Sequence, residues 1–123
     1  MLTLDTNILI YHLDGDEGVR RQLQLWLLRG ERLFVSEITR LELLAVPALP
    51  RAEESAIREL LTLFVSIPVD ARVAEVAAAL KRKYRLRLGD SIIAATAYLT
   101  NSRLVTRNLS DFRKVKEIRI ESI

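Results

Sequence analysis

Residues 2–7, Leu2-Thr3-Leu4-Asp5-Thr6-Asn7, contain the pattern from which the fold can be worked out. Apolar and polar side chains alternate over Leu2–Thr6, which is typical of a β-strand. The segment Asn7–Leu13 then reads as a short helix that follows the strand directly. A strand that leads directly into a helix is typical of α/β proteins, in which strands and helices alternate along the chain.

The alternation does continue. Further strands are predicted at Leu33–Ser36, Val65–Val69, Arg103–Thr106 and Ile118–Ile120. Further helices are predicted at Glu17–Arg29, from a Ser36 cap to Val46, at Arg51–Leu63, from an Asp70 cap to Tyr84, and from Gly89 or Asp90 to Thr100. Pro68 cannot donate a ladder hydrogen bond, so its strand is expected at the edge of the sheet. The pattern predicts an α/β fold, with a parallel sheet covered by helices on both faces, and one domain over residues 1–123.

The composition excludes several classes of protein. The chain has no cysteine, which rules out disulfides, thiol catalysis and cysteine-ligated zinc. No apolar run approaches the length of a membrane span, and no basic segment opens the sequence, so we expect a cytoplasmic protein without membrane contact. The net charge of +3 is compatible with a polyanionic partner and equally with an ordinary solvated surface.

Four carboxylates stand in structural or apolar contexts: Asp5, Glu42, Asp90 and Asp111. In a parallel α/β sheet, ligands bind beyond the carboxyl ends of the strands, and these acids follow strands or lie on helices that could flank that edge. Carboxylates that converge would repel one another unless a cation held them. Four oxygen ligands and no sulfur favour Mg²⁺ or Mn²⁺, and a single histidine, His12, argues against a zinc hydrolase.

Each acid also has a simpler structural interpretation. Asp5 could cap the helix that follows it, although Thr6 and Asn7 could do so equally well. Asp90 could be the N-cap of the alanine-rich helix. Ser110 or Asp111 could begin a short helix.

Two ambiguities are local to single acids. Glu42 is expected on one helical face with Ile38, Leu41 and Ala45, and a boundary glutamate paired with an arginine is the alternative to a metal ligand. Asn108 could perform the task considered for Asp111, and spacing does not choose between them.

Four segments together resemble one family. They are Leu4-Asp5-Thr6-Asn7, Ser36-Glu37-Ile38-Thr39 with Glu42, Asp90–Ala97, and Thr106-Arg107-Asn108 with Asp111-Phe112. In this order they resemble the PIN-domain ribonucleases, and within them the VapC-type toxins of bacterial and archaeal toxin–antitoxin modules. Ser91 departs from the alanine that many members have at this position, a change expected to be harmless.

The resemblance implies a three-layer α/β/α sandwich with a central parallel sheet of about five strands. It implies an Mg²⁺- or Mn²⁺-dependent endoribonuclease, a homodimer, and inhibition by a cognate antitoxin protein. By the same resemblance, Asp5 and Asp90 would be the principal metal ligands, and Glu42 and Asp111 would complete the catalytic quartet. The residues expected to support these acids without touching the metal are Thr6, Asn7, Thr106 and Asn108.

Basic side chains near the expected site are candidates to bind the RNA backbone. They are Arg107, which lies on the expected active-site loop, and Arg85, Arg87 and Arg113. Two other functions remain open at this point: an RNA-processing nuclease outside any toxin module, and a PIN-like module that binds RNA or protein without cutting.

Overall fold

The computed structural model describes residues 1–123 and contains five strands and seven helices. The strands are β1 (Leu2–Leu4), β2 (Leu33–Ser36), β3 (Val65–Ile67), β4 (Arg103–Val105) and β5 (Arg119–Glu121). The helices are α1 (Thr6–Leu13), α2 (Glu17–Leu28), α3 (Glu37–Leu44), α4 (Arg51–Leu61), α5 (Ala71–Tyr84), α6 (Leu88–Leu99) and α7 (Leu109–Phe112). Every predicted strand and helix is present, with ends that differ by one or two residues in most cases.

The five strands form one parallel sheet in the order β3-β2-β1-β4-β5. The prediction that the Val65 strand lies at an edge is therefore confirmed. The first strand of the chain is the central strand, with Leu2 paired to Leu33 on one side and to Arg103 on the other. The carboxyl ends of β1, β2 and β4 consequently meet at one edge of the sheet, where Asp5 and Thr106 follow their strands.

Two apolar cores, one on each face of the sheet, confirm the three-layer arrangement. Leu2, Leu4 and Val105 point to a core that is completed by α1, α2 and α4. Leu104 points the other way, to a core completed by α5, α6 and α7. This alternation follows from the two-residue period of a strand, which sends successive side chains to opposite faces.

The start of α6 differs from the prediction. The helix begins at Leu88, because Arg87 has an extended backbone and its carbonyl accepts a hydrogen bond from Ser91 N at 2.9 Å. Asp90 is therefore inside the first turn and is not the N-cap.

The end of α5 has an unusual backbone. Arg85 occupies the C-cap with φ 55° and ψ 43°, a left-handed conformation that normally favours glycine. Its side chain is exposed. None of the seven helices has both the length and the apolarity needed to cross a bilayer.

Candidate active site

Asp5 is the most buried acid of the predicted site, with 3% of its surface exposed. Its backbone occupies the cap position before α1, but its carboxylate makes no capping hydrogen bond. Oδ2 instead accepts a hydrogen bond from Thr106 Oγ1 at 2.8 Å, across the β1–β4 pair. Burial raises the pKa of Asp5 to about 6, an effect that the Thr106 hydrogen bond opposes and the charge of Asp90 reinforces.

Glu42 faces the same region from α3. Its Oε1 accepts a hydrogen bond from Thr6 Oγ1 at 2.7 Å, and the Thr6 hydroxyl also lies 2.8 Å from Thr39 Oγ1. Its other oxygen, Oε2, lies close to α6, since a Cβ built on Gly89 would be only 3.2 Å away. The glycine therefore lets the two helices bring Glu42 and Asp90 together.

The prediction that Glu42 shares a buried apolar face with Leu41 is wrong. The buried residues of α3 are Thr39 and Leu43, whereas Leu41 is 61% exposed and Glu42 is also exposed. The buried side of α3 thus carries one polar side chain, Thr39, and one apolar side chain, Leu43. Glu42 forms no ion pair with an arginine, which also removes the boundary-pair alternative.

Asp90 is half-buried in the first turn of α6. Burial raises its pKa, and the charges of Asp111 and Glu42 add to the effect, while the Arg87 guanidinium opposes it. No hydrogen bond from the protein contributes to this balance. Both carboxylate oxygens of Asp90 thus remain available to a ligand.

Asp111 and Asn108 are joined by a hydrogen bond. Asn108 Nδ2 donates to Asp111 Oδ2 at 2.8 Å, and Asn108 N donates to Thr106 Oγ1 at 2.9 Å. Because Thr106 donates in turn to Asp5, one hydrogen-bonded chain runs from Asp111 to Asp5. Asp111 lies within α7, which begins at Leu109, so neither Ser110 nor Asp111 starts that helix.

The four acids are close enough to influence one another's pKa values, but their side chains do not surround a common point. The pKa of Asp5 responds to Asp90 and Glu42, and that of Asp90 responds to Asp111 and Glu42. Yet no group of three or more His, Cys, Asp or Glu side chains is spaced to hold a metal ion as it stands. The donor set is entirely carboxylate and fits a hard cation.

Other predicted residues lie in varied surroundings. Asn7 is exposed on α1. Arg85, Arg87 and Arg113 are exposed and take part in none of the six ion pairs of the structure. Arg107, in contrast, is paired with Asp16 at 2.8 Å.

Sequence reasoning missed two residues that shape the site. Thr39 contacts the Thr6 hydroxyl, and its position three residues before Glu42 on one helix is the signal that could have indicated a shared face. Gly89 lets Glu42 approach, and a glycine beside an acid in a helix that is otherwise rich in alanine and isoleucine was the corresponding signal.

Comparison with known proteins now adds to this geometry. The PIN domain family model matches residues 2–118. The chain belongs to the PIN-domain family. Among relatives of this PIN protein, ribonuclease VapC19 of Mycobacterium tuberculosis is 31% identical over 117 residues, which cover 91% of the chain and 92% of the relative. This relationship places the PIN protein in the VapC group, as the resemblance implied.

Solved structures agree with the fold of this PIN protein. A toxin–antitoxin complex from Klebsiella pneumoniae contains a chain that is 33% identical, with a TM-score of 0.83 and complete coverage of both chains. VapBC2 from Rickettsia felis, bound to a DNA fragment from its promoter, matches with a TM-score of 0.87 at 21% identity, covering 99% of this chain and 98% of that one. The predicted five-stranded parallel α/β/α fold is confirmed.

Proposed function

We propose that this PIN protein is a divalent-metal-dependent endoribonuclease and the toxin of a toxin–antitoxin module. The observation that supports it best is the mutual electrostatic influence of Asp5, Glu42, Asp90 and Asp111 near the carboxyl ends of β1, β2 and β4. Burial raises the pKa of Asp5 to about 6, and no basic side chain donates to its carboxylate. Perturbed pKa values cluster at functional sites, so a carboxylate with this surrounding is a candidate for one.

The chain's own residues would hold Mg²⁺ or Mn²⁺ through Asp5 and Asp90, with Glu42 and Asp111 completing the acidic site. Such a cation supplies charge stabilisation at phosphorus and lowers the pKa of water. Thr106 holds Asp5 in place, Thr6 orients Glu42, and Asn108 orients Asp111. Each of these hydrogen bonds uses one oxygen of its carboxylate and leaves the other free. The hydrogen bonds therefore orient the carboxylates and still leave an oxygen on each for a cation.

Protonation of Asp5 sets a pH dependence for this proposed reaction. Below a pH of about 6 the carboxylate takes up a proton, and a protonated acid is a poor metal ligand. Cleavage is therefore expected to rise with pH through this range. Bound metal would shift the dependence to lower pH, because the cation competes with the proton.

RNA would approach over the exposed arginines around the acids. Arg87 is close enough to Asp90 to influence its pKa, and Arg85 and Arg113 are exposed on the flanking α5–α6 and α7 segments. If these side chains bind phosphate, RNA affinity falls log-linearly with salt. The RNA target and its cleavage sequence are left to experiment.

A protein partner is proposed from a groove between α2 and α4. The groove has a volume of about 380 Å³ and is lined mainly by leucines, including Leu23, Leu27, Leu60 and Leu63. An amphipathic antitoxin helix would bury such a surface. We also propose that residues 1–123 act as one domain and assemble as a homodimer, which sedimentation of the purified protein tests.

The central experiment compares wild type with Asp5→Asn. Purified wild type is expected to cleave single-stranded RNA with Mg²⁺ or Mn²⁺ and to lose activity with a chelator, whereas Asp5→Asn stays inactive. Expression of the wild type should stop bacterial growth, and Asp5→Asn should not. Cleavage without growth arrest would favour an RNA-processing nuclease, and RNA binding without cleavage would favour a non-cutting module. Equal activity of both proteins would refute the assignment of Asp5.

A further inference from the structure

We propose that Arg107 is a positioning residue whose ion pair with Asp16 holds the active-site loop in place, rather than a contact to the RNA backbone. The proposal rests on the proposed nuclease function. It concerns the loop 106–108, which joins β4 to α7 and supplies hydrogen bonds to two of the four acids.

The Arg107 guanidinium is engaged in three directions. Its two terminal nitrogens donate to the Asp16 carboxylate, Nη1 to Oδ2 at 2.8 Å and Nη2 to Oδ1 at 3.4 Å. Its Nε donates to the Ile123 carbonyl at 3.1 Å. Its flat face lies over the Tyr11 ring, 4.6 Å from the ring centre. A planar group held at its edge and its face has one orientation, which an arginine provides and a lysine does not.

The other half of the pair is fixed as well. Asp16 caps α2 by accepting from Val19 N at 3.0 Å, and its own N–H donates to the Tyr11 carbonyl at 2.9 Å. The carboxylate that receives Arg107 therefore belongs to the rigid junction of α1 and α2. Through Asp16, the loop 106–108 is attached to the end of α1, the helix that directly follows Asp5.

The immediate neighbours of Arg107 are the supports of the acids. Thr106 donates to Asp5 at 2.8 Å, and Asn108 donates to Asp111 at 2.8 Å. Arg107 stands between them in a connection of three residues. Fixing its side chain fixes the backbone on both sides, so displacement of Arg107 would move both hydrogen bonds at once.

The charges argue against a phosphate contact. Asp16 neutralises the guanidinium, and RNA could recruit Arg107 only by breaking this pair. The two roles thus make opposite predictions for Asp16. If Arg107 binds RNA, removing the competing carboxylate should strengthen RNA binding, whereas if Arg107 positions the loop, the same change should impair the site.

The test uses Asp16→Asn, Arg107→Ala and their combination. Asparagine caps a helix about as well as aspartate, so Asp16→Asn removes the charge and keeps α2 capped. We expect both single variants to lower kcat by about tenfold to a hundredfold, as small misplacements of catalytic groups do, with KM nearly unchanged. The double variant should be no worse than either single one, because the two residues act as a unit. Glu54→Gln, which breaks the exposed Arg58–Glu54 pair on α4, is the matched control.

The contrary result is equally distinct. An increase in KM and a smaller salt dependence of RNA binding for Arg107→Ala, with Asp16→Asn neutral or tighter, would overturn the proposal. A second readout needs no RNA: at one fixed Mn²⁺ concentration, the metal-induced rise in Tm should be smaller in both single variants than in wild type. If the wild type cleaves no RNA, the nuclease function fails while this measurement still decides the positioning role. Unchanged Mn²⁺ dependence together with unchanged kcat would also refute it.

Discussion

Replacing Asp5 by asparagine should change how stability depends on pH. The folded state raises the pKa of Asp5 from 3.8 to about 6. Below pH 3.8 the carboxyl is protonated in both folded and unfolded chains, and the group has no effect on the difference between them. Between pH 3.8 and about 6 the unfolded chain releases this proton while the folded protein keeps it, so stability falls over that range and Asp5 causes no further change above it. A shift of this size corresponds to about 3 kcal/mol at neutral pH.

Asparagine at this position is neutral at every pH. The stability of Asp5→Asn relative to wild type should therefore increase by about 2.5 kcal/mol between pH 4 and pH 7.5, in chelator-treated protein. For a chain of this length the corresponding difference in Tm grows by roughly 10 °C. Parallel urea titrations at the two pH values measure it, because the linear extrapolation gives each free energy of unfolding.

The control is Glu75→Gln on the exposed surface of α5, which changes one charge without touching the site. It should show no such divergence. Mn²⁺ should then raise the Tm of the wild type far more than that of Asp5→Asn, since a ligand of the folded state stabilises by mass action. A difference between wild type and Asp5→Asn that stays constant from pH 4 to pH 7.5 would refute the reasoning from burial.

Three further substitutions have expected outcomes. Gly89→Ala should gain up to about 1 kcal/mol of helix stability but weaken Mn²⁺ binding and RNA cleavage, because its Cβ meets Glu42 Oε2 at 3.2 Å; unimpaired cleavage would contradict this contact. Phe112→Ala removes a side chain with no exposed surface and should cost about 3–5 kcal/mol in urea unfolding, so a loss below about 1 kcal/mol would argue against this core. Arg85→Gly should stabilise the fold by roughly 1 kcal/mol, because glycine removes the strain of the left-handed backbone at φ 55°. The same change should weaken RNA binding and reduce its dependence on salt, and an affinity equal to that of wild type would exclude Arg85 from the RNA surface.

Local patterns in the sequence predicted the elements well. The alternation in Leu2–Thr6 and the apolar spacing of the helices depend on neighbours within a few residues, and the structure keeps them. The face of α3 was misjudged because Leu41 is apolar and yet 61% exposed, so hydrophobicity alone gave the wrong rotation. The start of α6 was misplaced because Arg87 has no capping side chain to signal it.

Properties that depend on distant residues could not be predicted. The Arg107–Asp16 pair joins positions 91 residues apart, and the hydrogen bond from Thr106 to Asp5 joins positions 101 apart. No pattern in the neighbouring sequence indicates either contact. The pKa of Asp5 likewise depends on burial, which exists only after the sheet has formed. Resemblance could suggest which acids meet, whereas only the structure shows that Asn108 and Asp111 share one hydrogen bond.

The sheet order has a consequence for synthesis on the ribosome. The central strand β1 is made before its neighbour β4, which pairs Val105 with Leu4 and comes about a hundred residues later. A growing chain can form β1–β2 contacts early, but Asp5 lacks Thr106, Asn108 and Asp111 until residues 106–111 have been translated. The proposed nuclease site therefore cannot assemble on a half-made chain. An enzyme that attacks RNA, as proposed above, would in this way remain inactive beside the message and ribosome that produce it until residues 106–111 have emerged and β4 has joined the sheet.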